Sequence, residues 1–203
     1  MLSIHKQIES KIKRSKRGSI FFPSDFANIG GTEVVKKVLL RLEQKGLLKR
    51  LAFGIYLYPK NSKLLGELTP TVEEIASAIA DRDKARIIPT GSYALNALGL
   101  STQVPLNAVY LTDGATRKVA IGKRNILFKK TSPKNLSVRG PISSLVIQAL
   151  KTIGDGKLQP NEESKILELL KKEKVENIEH DLTAAPEWIR KIMRKALDNN
   201  NDE

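Results

Sequence analysis

Two histidines, His5 and His180, stand far apart in the chain, and there is no cysteine. The missing thiols exclude a disulfide scaffold, a thiol nucleophile and a thiolate metal site. A Ser-His relay or a histidine-rich metal centre would have to be built on one of two isolated imidazoles. His180 is followed by Asp181, a neighbour pair that helices use at their surface or as a cap far more often than as a catalytic base. No Walker-type loop and no zinc spacing is present. What the chain has in quantity is cations: 35 Lys and Arg against 22 Asp and Glu, a net charge of +13 and a pI near 9.9. That balance points to a polyanion, either DNA or RNA, with an anionic membrane surface as the weaker choice. Residues 1–60 hold 13 Lys and Arg and only 4 Asp and Glu, so most of the excess lies in the first third.

One further pattern bears on chemistry. Gly91-Ser92 follows the apolar run Arg86-Ile87-Ile88, a placement shared with the Gly-Ser element of nucleotidyltransferases. Those enzymes also need two carboxylates one residue apart on a following strand, to hold metal ions. The next strand-like run, Asn107 to Thr112, has no such pair, and Asp113 stands alone at its end. A glycine turn and a helix start is the simpler account. The residues predict no catalytic centre, no metal and no cofactor.

The elements that must position the cations are legible in the first third. Ile4, Ile8 and Ile12 repeat at helical spacing and predict a short amphipathic helix. It runs into the basic stretch Lys11, Lys13, Arg14, Lys16 and Arg17, and Gly18 is a natural stop. Ser19 to Phe22 is β-prone, and Pro23 to Ala27 predicts a second, short helix. A third helix runs from an N-cap at Thr32 to Gly46, with Val34, Val35, Val38, Leu39 and Leu42 within an arc of about 140°. The opposite arc carries Glu33, Lys36, Lys37, Leu40 and Gln44, flanked by Arg41 and Lys45. Two β-prone runs follow, Leu47 to Arg50 and Ile55 to Tyr58, joined by a turn at Leu51-Ala52-Phe53-Gly54.

Helix, strand, helix-turn-helix and hairpin is the order of a winged helix-turn-helix. A helix about 10–12 Å across fits the ~12 Å major groove, and a hairpin wing can lie along the adjacent backbone or minor groove. The residues expected to meet DNA are Lys13, Arg14, Lys16 and Arg17, then Thr32, Lys36, Lys37 and Arg41 on the third helix, then Lys49, Arg50 and Phe53 on the wing. Leu40, the apolar residue of the polar face, is expected to pack on a second domain, to meet a thymine methyl, or to lie exposed, in that order.

The expected fold class is α+β: an N-terminal winged helix-turn-helix over 1–60, a linker over 61–70, and a mixed α/β domain over 71–198 ending in several helices. A polar tail, 199–203, closes the chain and is expected to fray. Thr71-Val72-Glu73-Glu74 has the capping-box pattern and opens a helix. Strands are expected at 86–88, 107–112, 118–121 and 126–130, a short helix at 92–98, and helices at 143–153, 162–172, 175–182 and 186–197. In the last of these Trp188, Ile189, Ile192, Met193 and Ala196 share one side. Arg190, Lys191, Arg194 and Lys195 share the other, as solvated surface or as a second phosphate patch. No apolar run approaches the roughly 20 residues that span a bilayer, and the charged N-terminus has no signal-peptide apolar segment. A cytoplasmic protein without membrane partners is expected.

Residues 88–105, Ile-Pro-Thr-Gly-Ser-Tyr-Ala-Leu-Asn-Ala-Leu-Gly-Leu-Ser-Thr-Gln-Val-Pro, resemble the AbiEi family, the antitoxins of bacterial type IV abortive-infection toxin–antitoxin systems. The N-terminal segment, with Gly54-Ile55-Tyr56 in its second wing strand, is similar to that family's N-terminal domain. The resemblance implies a repressor of its own operon and a functional relation to a nucleotidyltransferase toxin, without a stable complex. It assigns no individual antitoxicity residue, because the matched glycines, prolines, leucines and alanines are turn and packing residues.

The sequence thus predicts a non-enzymatic bacterial protein that binds operator DNA, with room for a homodimer on the DNA. Two alternatives stay open: a winged helix that contacts protein instead of DNA, and a degenerate nucleotidyltransferase.

Overall fold

The computed structural model describes residues 2–64 and 66–198. The tail at 199–203, expected to fray, lies outside the described residues. The architecture is α+β. The chain divides into two compact units, Met1–Arg82 with Val119–Lys123, and Asp83–Lys118 with Arg124–Glu203.

In the first unit, helix α1 (Ile4–Arg14) buries Ile8 and Ile12, and its cap Ser3 accepts a hydrogen bond from the Lys6 amide. Strand β1 (Ile20–Phe21) follows. The second helix expected at Pro23 is a single 3₁₀ turn, Pro23–Phe26. Asp25 accepts the Phe22 amide at 2.8 Å, the contact that an acidic third residue makes at a helix start. Helix α2 (Thr32–Gln44) buries Val35, Val38, Leu39 and Leu42. Val34, at the edge of the apolar arc, is 45% exposed instead. Strands β2 (Lys49–Ala52) and β3 (Ile55–Leu57) form the hairpin, and β1 adds to β3, giving an antiparallel sheet in the order β1-β3-β2. Phe21, Phe26, Leu48 and Tyr56 close the core against α1 and α2.

The segment read as a linker is folded. Strands β4 (Lys60–Ser62) and β5 (Gly66–Leu68) pair antiparallel. Each is three residues long and mostly polar, so no alternation marks them in sequence. Helix α3 (Val72–Asp83) starts at the capping box: Thr71 Oγ1 accepts the Glu74 amide at 3.1 Å and Glu74 accepts the Thr71 amide at 2.7 Å. The helix lies almost wholly in the first unit, where the sequence placed it in the second domain. Its Arg82 guanidinium sits over the Phe22 ring at 4.5 Å, and Ala78 and Asp81 share a surface hollow with Ile20 and Phe22. The division therefore falls after Arg82 and not at 61–70.

The chain after Arg82 forms a four-stranded sheet of β6 (Ile87–Thr90), β7 (Asn107–Thr112), β8 (Arg117–Ile121) and β9 (Arg124–Lys130), in the order β6-β7-β9-β8. β6 runs antiparallel to β7, and β9 runs parallel to it. Ala108, Tyr110, Ile126 and Phe128 are buried on one face. Helices α4 (Ser92–Ala97), α5 (Pro141–Ile153), α6 (Pro160–Leu170), α7 (Val175–Asp181) and α8 (Glu187–Asp198) complete the second unit. Val146, Leu150, Ile166, Leu170, Ile189 and Met193 form their common core. Two of these helices begin two residues ahead of the expected spans, at Pro141 and Pro160. Proline at the first helical position loses no intrahelical bond and has the right φ already set. Among the described residues no helix is long and apolar enough to cross a membrane.

Candidate nucleic-acid interface

Helix α2 and the β2–β3 hairpin enclose a groove of about 210 Å³ in the first unit. Its apolar lining is Pro23, Leu40 and Tyr56, with Phe53 at the edge. Its rim is cationic: Lys36 and Lys37 from the helix, Arg50 from the hairpin. The helix delivers its two lysines because Val35, Val38, Leu39 and Leu42 fix the opposite face in the core. Leu40, four residues after Lys36, shares the lysine face and is 42% exposed. It lines the groove within the first unit and stays exposed, where the sequence ranked packing on a second domain first and exposure last.

The hairpin is shaped by a register shift between Arg50 and Ala52, where one extra residue bulges. At the tip Gly54 has φ +71, in the left-handed region that a β-branched side chain avoids. Gly54→Val should lower stability by about 1–2 kcal/mol and disturb the hairpin, read as a drop in melting temperature. A melting temperature within a degree of wild type would remove this account of the turn. Beside Gly54, Phe53 stands 85% exposed, with the Arg50 guanidinium 5.5 Å from its ring centre. Arg50 also donates from Nε to the Ala52 carbonyl at 3.4 Å. Burial pushes the Tyr56 hydroxyl pKa up, with Arg50 opposing and Glu43 adding to the shift.

The eleven residues expected to meet DNA are all exposed, yet only part of the set converges. Lys36, Lys37, Arg50 and Phe53 line the groove. Arg41 follows Lys37 by one helical turn, exposed and without an ion-pair partner among the described residues. Lys36 lies 2.8 Å from Glu33, and that hydrogen-bonded ammonium lowers the Glu33 pKa. An exposed pair of this kind is worth little and exchanges readily for phosphate. Thr32 is the first helical residue; the cap position belongs to Gly31, and no side chain caps this end. Free backbone amides at a helix start are ready anion donors.

The others are placed elsewhere. Lys49 pairs with Glu67 at 2.6 Å, a partner supplied by the strand that the sequence read as linker. Lys13 pairs with Glu9 at 2.6 Å. Arg17 stacks on Tyr58 at 4.8 Å and donates to the Pro59 carbonyl at 3.1 Å. Arg14 flanks a separate hollow with Gln7, Lys11 and Ile29, and Lys16 is exposed nearby in sequence. None of these four basic-run residues lines the groove. Pro23 and Tyr56, which do line it, were not expected; only the apolar character of the hairpin's second strand hinted at Tyr56.

The residues weighed for catalysis have structural occupations. Asp113 accepts the Arg86 backbone amide at 2.8 Å and its Nε at 3.0 Å. Gly91 and Ser92 turn β6 into α4. His5 lies 3.7 Å from Glu9, and His180 Nδ1 lies 2.9 Å from Asp181. Asp181 is wholly buried and receives the amides of Arg139 and Gly140 at 2.8 and 2.9 Å and the Ser143 hydroxyl. It holds the turn that leads into α5 from a distant helix, while the first-turn amides of Ile142 and Ser143 go to Glu173 at 2.8 and 3.4 Å. On α8, Arg190 and Arg194 pair with Glu187 at 3.2 and 3.4 Å, and Lys195 pairs with Glu163 at 2.6 Å. Carboxylates thus answer three of that stripe's four cations. Among the described residues no three acidic or histidine side chains are grouped to hold a metal.

A model of DUF6088, described as a family of unknown function, matches residues 7–178. No curated protein matches the chain.

Proposed function

The chain belongs to the DUF6088 family, and we propose that it is a sequence-specific DNA-binding protein that acts as a transcriptional repressor. The observation that carries this reading is the groove between α2 and the hairpin, rimmed by Lys36, Lys37 and Arg50 with Phe53 exposed at its edge. The order of helix, strand, short turn, helix and hairpin is that of winged helix-turn-helix readers. In such a pose α2 enters the major groove, its N-terminal amides and lysines meet phosphate and base edges, and the hairpin follows the neighbouring backbone. The activity is binding, with no reaction catalysed and no cofactor, and it is exercised in the bacterial cytoplasm where the DNA lies.

The likeness of residues 88–105 to AbiEi antitoxins supports a narrower role within this reading. There the repressor acts on its own operon and counters a nucleotidyltransferase toxin without a stable complex.

The test is a selection from random-sequence duplexes with the full chain, followed by titration of enriched and scrambled duplexes at several salt concentrations. The expected result is enrichment of a fixed site and a fall of log K with log salt. Each phosphate contact contributes about 0.9 to the slope. Arg50→Ala should lower affinity about fivefold for enriched and scrambled duplexes alike, because a phosphate contact positions without reading bases. Absence of both enrichment and salt dependence would overturn the proposal in favour of a protein-contacting module.

A further inference from the structure

The first third does not hold all the concentrated charge. The 41 residues from Gly114 to Gly154 carry nine Lys and Arg and no Asp or Glu. The elements that carry four of the lysines meet at one hydrogen-bonded core in the second unit. Lys129 and Lys130 end β9, Lys134 stands in the 3₁₀ turn Pro133–Leu136, and Lys151 lies in the last turn of α5. Asn135 links these elements: Lys151 Nζ donates to its Oδ1 at 3.3 Å, and its Nδ2 donates to Thr131 Oγ1 at 2.8 Å. All four lysines are exposed, and none has an ion-pair partner among the described residues. Partial desolvation lowers the Lys151 pKa although the side chain as a whole is exposed, and the nearby Lys134 lowers it further. Lys134 and Lys151 are therefore held together with no counter-charge from the chain, and Lys130 precedes Thr131 of the same network.

The composition of this surface selects its ligand. Protein interfaces enrich aromatic residues and deplete lysine, the reverse of what is found here. The stretch has one aromatic residue, Phe128, and it is buried, so unpaired bases would find no stacking platform. Lysine serves phosphate as a point charge that needs no fixed approach angle. We propose that Lys129, Lys130, Lys134 and Lys151 form a second phosphodiester-binding surface for duplex DNA. The proposal shares its ligand with the reading above but rests on a separate set of residues. It also moves any second phosphate patch from the α8 stripe, whose cations are largely paired, to the end of β9.

The test compares four full-length proteins on a random-sequence duplex across a salt series: wild type, Lys129→Ala/Lys130→Ala/Lys134→Ala, Lys36→Ala/Lys37→Ala, and the combination. Lys151 is kept because its ammonium braces Asn135, and thermal melts check that each variant folds. The triple variant should lose tenfold or more in affinity at ~0.15 M salt and flatten the salt slope by roughly 2.7, at about 0.9 per phosphate. If it matches wild type while the α2 variant weakens binding, the second surface is overturned and the groove reading stands. If the triple variant weakens binding and the α2 variant does not, the second surface stands and the groove reading falls. A wild type that does not bind the duplex overturns both. Polyglutamate as competitor at equal charge should displace the duplex poorly; equal displacement overturns the phosphate assignment.

Discussion

Replacing Lys36, Lys37 and Arg41 together with alanine should weaken binding of the full chain to duplex DNA by about a hundredfold at ~0.15 M salt. The figure follows from counterion release: three phosphates left without their cations, at about 0.9 each, change the salt slope by roughly 2.7. Extrapolated from ~1 M, where the electrostatic contribution vanishes, that slope amounts to about two orders of magnitude at ~0.15 M. The three side chains are exposed on α2, so the fold should be untouched and the melting temperature should stay close to wild type. Titration of wild type and variant over a range of salt reads both numbers. A folded variant with unchanged slope would show that α2 does not meet phosphate, and the orientation of the whole first unit on DNA would have to be reversed.

Asp181→Ala should cost about 3–4 kcal/mol of unfolding free energy, measured by urea denaturation, since stranded buried donors cost ~1–3 kcal/mol each. The carboxylate accepts two amides and a hydroxyl at the start of α5, and the Gly140 amide and Ser143 hydroxyl are buried. Glu173 completes the arrangement by accepting the Ile142 amide at 2.8 Å and the Asn177 side-chain amide at 2.9 Å. Two consequences follow. A Cβ on Gly140 would stand 2.6 Å from Glu173 Oε2 and 2.7 Å from its Cδ, so Gly140→Ala should overpack the site at a cost of about 1–3 kcal/mol. Burial pushes the Glu173 carboxyl pKa up, but hydrogen bonds from Asn177, Ile142, Lys174 and Ser143 outweigh it and leave the pKa below the ordinary value. A depressed carboxyl pKa stabilises the fold at neutral pH. That contribution is lost as pH falls from about 4.3 through the lower folded value. The stability gap between wild type and Glu173→Gln should accordingly narrow as pH drops towards ~3. Losses under ~1 kcal/mol for Asp181→Ala would mean that the freed donors find water, and that the turn into α5 stands without this carboxylate.

Helices whose apolar residues recur at helical spacing could be read from the chain before any fold was known. In α1 and α2 burial on one face is the only arrangement that pays the entropy of ordering, so Ile8, Ile12, Val35 and Leu39 announce themselves. The capping box of α3 was equally legible, since Thr71 and Glu74 satisfy each other locally. So was the cationic face of α2, as the complement of its apolar arc.

The remainder needed the folded chain. Which cations stay available depended on partners distant in sequence: Glu67 claims Lys49, Tyr58 and Pro59 claim Arg17, and Glu163 claims Lys195. The β4–β5 hairpin carries no hydrophobic alternation, because strands this short hold by backbone pairing. The grouping of Lys130, Lys134 and Lys151 and the bracing of the turn into α5 by Asp181 depend on chain crossings that bring helix ends and strand ends together. Periodicity reports which face of an element seeks the core. It carries no information on which charges of two distant elements will meet, because a Coulomb contact depends on distance in space, and only the folded chain sets that distance.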